Sequence, residues 1–439
     1  MDLTRSLVHF PVSATVSGLR RLSGLVTSSF SGRAGGGPAL FRRFEQQFGH
    51  FVQEAFKLDA HLPEADGADT GDTSPNSLMA RRLAKAGFDL AEITAGQIGR
   101  RLGGQNSAWR ELQNKLESFG TFRYADSVLH MGPDDGSDIG SLNDLADRAH
   151  ALDPYVRVWS MEGLGHITAD RAWRRGEVGS LLKCDVTPVV EAGLVALHTG
   201  MGLSFGKHLL GTLDADPTEA AADDLITRYA ALCEDNSRTG YEGVALEGLG
   251  LVAQTLYPRL ISPLDRQLGA RDSALQALFW HGIGRGRYFT LLSSAASQAS
   301  DLLAAPHEIG RRNVVSGLAW PLTLVNIRHP EVVASFLERH GRALELDGAF
   351  AAGVCSAIAV WSTATGGDPY VERFPGHAVN ERNRALGRRW EEQIRGPWQL
   401  ALRELGPEAR RSHLFGDLFQ YPAGSGVAKT GAGQKLASL

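Results

Sequence analysis

Glycines recur in pairs inside the most apolar part of this chain, and that pattern limits what the chain can become. Val158-Trp159-Ser160-Met161-Glu162-Gly163-Leu164-Gly165 and Val244-Ala245-Leu246-Glu247-Gly248-Leu249-Gly250 align as copies, each with a glutamate ahead of its glycine pair. A second pair follows each copy, in Leu197-His198-Thr199-Gly200-Met201-Gly202 and in Phe279-Trp280-His281-Gly282-Ile283-Gly284. A glycine inside a helix costs about 0.5–1 kcal/mol relative to alanine. Such glycines belong where another backbone, or a ligand, must come close. The chain holds 51 of them.

The rest of the pattern is helical. Ala, Leu, Arg and Glu dominate, and few segments alternate strictly or cluster β-branched residues. The expected fold is mainly α, a pseudo-symmetric internal duplication with glycine-rich helix packing. Four regions follow from composition. Residues 1–61 form a basic N-terminal arm and an amphipathic helix, the latter over Arg42–Leu58 with Phe44, Phe48, Phe51 and Phe56 at helical spacing. Residues 62–141 are a linker and helical segment, residues 142–420 the duplicated functional body, and residues 421–439 a Gly-, Ala- and Lys-rich flexible tail. From Leu3 to Phe44 the chain has arginines and no acid, which suits a transit peptide or a surface-binding helix as well as the preferred basic arm.

Composition narrows the classes of function. With 43% hydrophobic and 21% charged residues, global disorder is ruled out. A net charge of −4 offers no electrostatic case for nucleic acid. No apolar run reaches the roughly 18–20 residues of a membrane span. The 3 cysteines, Cys184, Cys233 and Cys355, make neither a disulfide framework nor a zinc ribbon, and point to a reducing cytoplasm. Asp134, Asp135 and Asp138 crowd one loop without calcium-loop spacing and read as a solvated turn.

Chemistry-bearing residues gather around the glycine pairs. Glu162 and Glu247 are twins in the two copies. Glu162 and His166 are one helical turn apart, an arrangement that suits acid/base work, two metal ligands or a plain ion pair. Glu242 lies about 140° around the helix from Glu247, so it faces elsewhere, as a cap or as a partner of Arg238. In Trp280-His281-Gly282-Ile283-Gly284-Arg285-Gly286-Arg287, His281 is a candidate acid/base, Trp280 a candidate contact, and Arg285 or Arg287 a candidate anion partner beside alternate glycines. Tyr241 and Asp347 complete the candidate set for substrate binding, although Asp347 fits a helix N-cap better. There is no His-Glu-x-x-His, Glu-x-x-His, nucleophile elbow or Walker lysine, and neither a metal nor a cofactor is assigned.

Tyr241-Glu242-Gly243, His281 to Gly284, Asp347-Gly348 and the Arg43-Phe44-Glu45 to Phe51 helix resemble an uncharacterised bacterial protein family encoded in secondary-metabolite clusters, including those for enediynes. The resemblance implies a biosynthetic setting and no particular reaction. The expectation is therefore a cytoplasmic enzyme acting on an apolar small-molecule intermediate through Glu/His acid–base chemistry, of isomerase or cyclase type. Two alternatives stand beside it: a non-catalytic helical binding or scaffold protein, and a redox metalloprotein using Glu162, Glu247, His166 and His281. A homo-oligomer is compatible with each.

Overall fold

The computed structural model describes residues 107–131, 141–183, 188–290, 298–344, 348–379 and 383–421. The basic arm, the Arg42–Leu58 helix, the linker, the aspartates at 134, 135 and 138, Cys184, Asp347 and residues 422–439 lie outside them. Among the described residues the chain is helical, with no strand. No helix there is long and apolar enough to cross a membrane.

Twelve labelled helices lead to a final long one: α1 (Ser107–Arg123), α2 (Leu142–His150), α3 (Pro154–Arg175), α4 (Pro188–Leu210), α5 (Glu219–Asn236), α6 (Glu242–Leu246), α7 (Gly248–Leu256), α8 (Ile261–Arg271), α9 (Ser273–Thr290), α10 (Glu308–Val325), α11 (Pro330–Leu344), α12 (Ala349–Thr365) and α13 (384–412). Their ends carry readable signals. Ser141 and Asp144 close a capping box on α2. Asp153 accepts from the Tyr155 N–H while Pro154 opens α3, and left-handed Gly176 ends it. Two π turns interrupt α13, over Glu391–Arg395 and Ala401–Leu405.

The glycine pairs explain how the middle helices assemble. Residues two apart on a helix point about 200° apart, to opposite sides. In α3, a Cβ on Gly163 would strike the Phe122 carbonyl of α1, and one on Gly165 the Leu197 carbonyl of α4. In α4, Gly200 lies against the Glu162 carbonyl of α3 and Gly202 against Ala245 of α6. Gly248 meets Gly202 of α4, while Gly250 meets the Phe279 carbonyl of α9. Gly282 then faces the Glu247 carbonyl, and Gly284 faces Val314 of α10. Each pair therefore lets one helix touch two neighbours at backbone distance. The device runs through four helices, and single glycines continue it, with Gly317 of α10 against His281 and Gly353 of α12 against Ser316.

The row α3–α4–α7–α9–α10 curls, because α12 packs on α10 and also on α3 and α4. Almost every residue of α12 is buried, and its Trp361 packs 6.1 Å from Tyr155 of α3. A second polar seam fixes α1 beneath the row. The Tyr155 hydroxyl donates to the Asn114 and Val325 carbonyls, Asn326 joins Asn114 to the Tyr288 hydroxyl, and Lys115 sits 3.8 Å over the Tyr288 ring while pairing with Glu111. Tyr421, placed by the sequence at the start of a flexible tail, is instead buried, with its N–H donating to Asn313 Oδ1.

Candidate functional site

Helix α9 passes between α7 and α10 so closely that its side chains at 281 and 285, one turn apart, share a single buried seam. Arg285 is fully buried there. Its guanidinium donates to Glu247 Oε2 at 2.6 Å and to Glu162 Oε1 at 3.4 Å, and lies 4.5 Å over the Trp320 ring. His281 Nδ1 is 2.8 Å from Glu247 Oε1. The two glutamates, one from each aligned copy, thus converge on one arginine.

The charges distribute according to distance and burial. Burial works to raise Glu247, but Arg285 and the His281 hydrogen bond outweigh it and hold the carboxyl below its ordinary value. Burial also works against the Arg285 cation, and the two carboxylates outweigh it and raise the guanidinium. Glu162 lies farther from Arg285. Burial pushes it up to about 7, with the Glu247 charge adding to the rise and Arg285 opposing it. An ionised carboxylate only accepts, so His281 Nδ1 carries the proton shared with Glu247. His281 Nε2, Arg285 Nε and Trp320 Nε1 have no hydrogen-bond partner among the described residues.

The other candidates go to separate places. His166 packs edge-on to Phe122 at 5.6 Å and contributes, with His208, Lys207 and Arg174, to lowering Asp170 against the effect of its burial. Glu242 does not reach Glu247; it accepts the Gly240 N–H at 2.7 Å, so it serves its own turn. Tyr241 is stacked between His198 (4.9 Å) and Phe415 (5.1 Å). Trp280 donates to Asp265 at 2.7 Å, and Asp265 also binds His307 and Gln276. Arg287 donates to the Leu302 carbonyl, and burial brings it down to about 10. The backbone N–H groups at Gly282, Gly284 and Gly286 lie inside the α9 helix, where turns of the helix itself engage them.

Trp320 and Phe419 belong to the same seam and carry no signal in the sequence. Phe419 stands 5.8 Å from the His281 ring and 5.7 Å from Trp320. A pocket between α2, α3 and α4, lined by His150, Arg157, Met161 and Gly193, offers about 10 Å³, roughly one water, and includes neither carboxylate. Among the described residues no three His, Cys, Asp or Glu side chains gather as metal ligands. Between Glu162 and Glu247 the cationic place is filled by Arg285. No family model, curated protein or solved structure matches the chain.

Proposed function

We propose that this chain is a non-catalytic helical binding or scaffold protein, in which the Glu162–Arg285–Glu247–His281 seam locks helices together. One observation carries the reading. Arg285 commits its guanidinium to both glutamates inside a buried core, reaching from α9 across to α3. A buried charge set of this kind is poor at adding net stability, and strongly destabilising when one member is lost. It therefore enforces one arrangement of the curled row. The natural-product setting and the apolar ligand remain readings from the family resemblance, and the two helix pairs α3–α4 and α7–α9 are our reading of the duplication.

A second reading, acid–base catalysis, has its own support: a Glu247–His281 dyad whose Nε2 has no partner among the described residues, beside a Glu162 raised to about 7. A carboxyl raised that far suits proton transfer near neutrality. Equilibrium unfolding separates the two. For a locking seam, Glu247→Gln costs about 3–5 kcal/mol, because Arg285 keeps its charge and loses its nearest partner, and a Glu247→Leu/Arg285→Met double variant recovers most of that loss. Unchanged or increased stability in Glu247→Gln overturns the locking role and favours catalysis, since reactive sites are held at a cost to the fold.

A further inference from the structure

The last described stretch of chain returns across the seam. After α13 ends at Ser412, His413 turns with φ +56 and residues 414–421 run back against α6 and α12, with Phe419 and Tyr421 reaching α9 and α10. Two glycines make the slot it runs in, and a third lies on the returning stretch itself. Gly240, at φ +91, lies under the His413 carbonyl, and Gly243 lies against Gly416, whose N–H donates to the Gly240 carbonyl at 2.9 Å. Phe415 stacks on Tyr241, and Asn313 binds both the N–H and the carbonyl of Tyr421. Between these two anchors Phe419 drops its ring, fully buried, onto His281 and Trp320.

That ring answers none of the polar groups around it. Among the described residues the outer nitrogen of the imidazole it covers has no hydrogen-bond partner, and neither has Trp320 Nε1 or Arg285 Nε. A core built only for stability pairs such groups, since each one left bare costs about 1–3 kcal/mol. With Nδ1 committed to Glu247, Nε2 is the ring nitrogen left for a further hydrogen bond.

We propose that residues 413–421 are a displaceable strap, and that Phe419 holds the place of an aromatic or similarly flat apolar small molecule whose hydroxyl or N–H donates to His281 Nε2. The inference rests on the binding reading above and names its site. The ligand would stack where Phe419 stacks, over Trp320, and add the hydrogen bond that a phenyl ring lacks. Opening needs the strap's two anchors to release, while the glycine-paired helices stay in place.

The test uses the full chain carrying Phe419→Ala, with 4-methylphenol and toluene as probes of the same shape with and without a donor. The expected result is saturable binding of 4-methylphenol, a shift of the His281 Nε2 nitrogen resonance, and toluene binding about tenfold weaker, the worth of one hydrogen bond. Equal binding of both probes, or of neither, to folded protein overturns the proposal. Should the variant not fold, amide hydrogen exchange on the unaltered protein decides. Gly416, Leu418 and Tyr421 are expected to exchange about a hundredfold faster than the amides of α9 and α10; equal protection rejects the strap. Neither outcome depends on Glu247→Gln, so the seam and the strap can fail separately.

Discussion

His198 and His281 are both completely buried, both precede a glycine pair, and lead different lives. His198 stands two residues before Gly200 and His281 one residue before Gly282, so they are turned about 100° apart on otherwise comparable helices. The rotation aims His198 at a loop. Its Nδ1 donates to the Leu194 carbonyl at 2.7 Å and its Nε2 accepts the Arg238 N–H at 3.0 Å, which fixes one neutral tautomer. Burial lowers this imidazole to about 4. His281 is aimed at a carboxylate and an arginine, with one nitrogen left over. A one-residue offset in an apparent repeat thus separates a histidine that serves backbone groups from one that serves charges.

Three substitutions sharpen this contrast. His281→Leu is expected to cost most, about 1.5–3 kcal/mol in chemical denaturation, because it takes a hydrogen bond from a buried carboxylate. A loss no larger than that of His198→Leu would erase the distinction between the two sites. His198→Leu should cost about 1 kcal/mol at neutral pH, leaving the Arg238 N–H without its acceptor.

The smallest effect at neutral pH, and the most telling with pH, belongs to Glu162→Gln. Because Glu162 is raised in the folded protein, its contribution is complete below its ordinary 4.5 and is lost as pH climbs through about 7. His198 has the opposite sign: its folded value is depressed, so its contribution is complete above its ordinary 6.5 and is lost as pH falls towards about 4. Melting temperature followed from pH 4 to 8 should therefore lose its alkaline decline in Glu162→Gln and part of its acid decline in His198→Leu. Matching profiles in the two variants would contradict these assignments.

The sequence reveals much of this architecture because the signals are local. Helical composition, the caps at Asp153 and Gly176, and the two-sided geometry of Gly-x-Gly all act within a turn or two. The sequence also singles out Glu162, Glu247, His281 and Arg285, since each sits beside a glycine pair. Their meeting is not. Arg285 reads as an anion partner for a ligand, yet it reaches Glu162 over 123 residues because the row curls, and curvature accumulates from packing that no short motif encodes. Phe419 is harder still: an ordinary phenylalanine near the end of the chain is defined only by what it covers.

The two-sided glycines also set an order of assembly. Each middle helix finds its glycine-mediated partners within three helices along the chain, so the row can grow stepwise as synthesis proceeds, without waiting for distant segments. The Arg285–Glu162 contact closes only after several helices have joined, and the Phe419 contact only after nearly the whole described chain has been made. Until that last step the imidazole of His281 and the indole of Trp320 face an unfinished surface, so the newborn protein passes through a stage in which its most guarded groups are its most accessible ones.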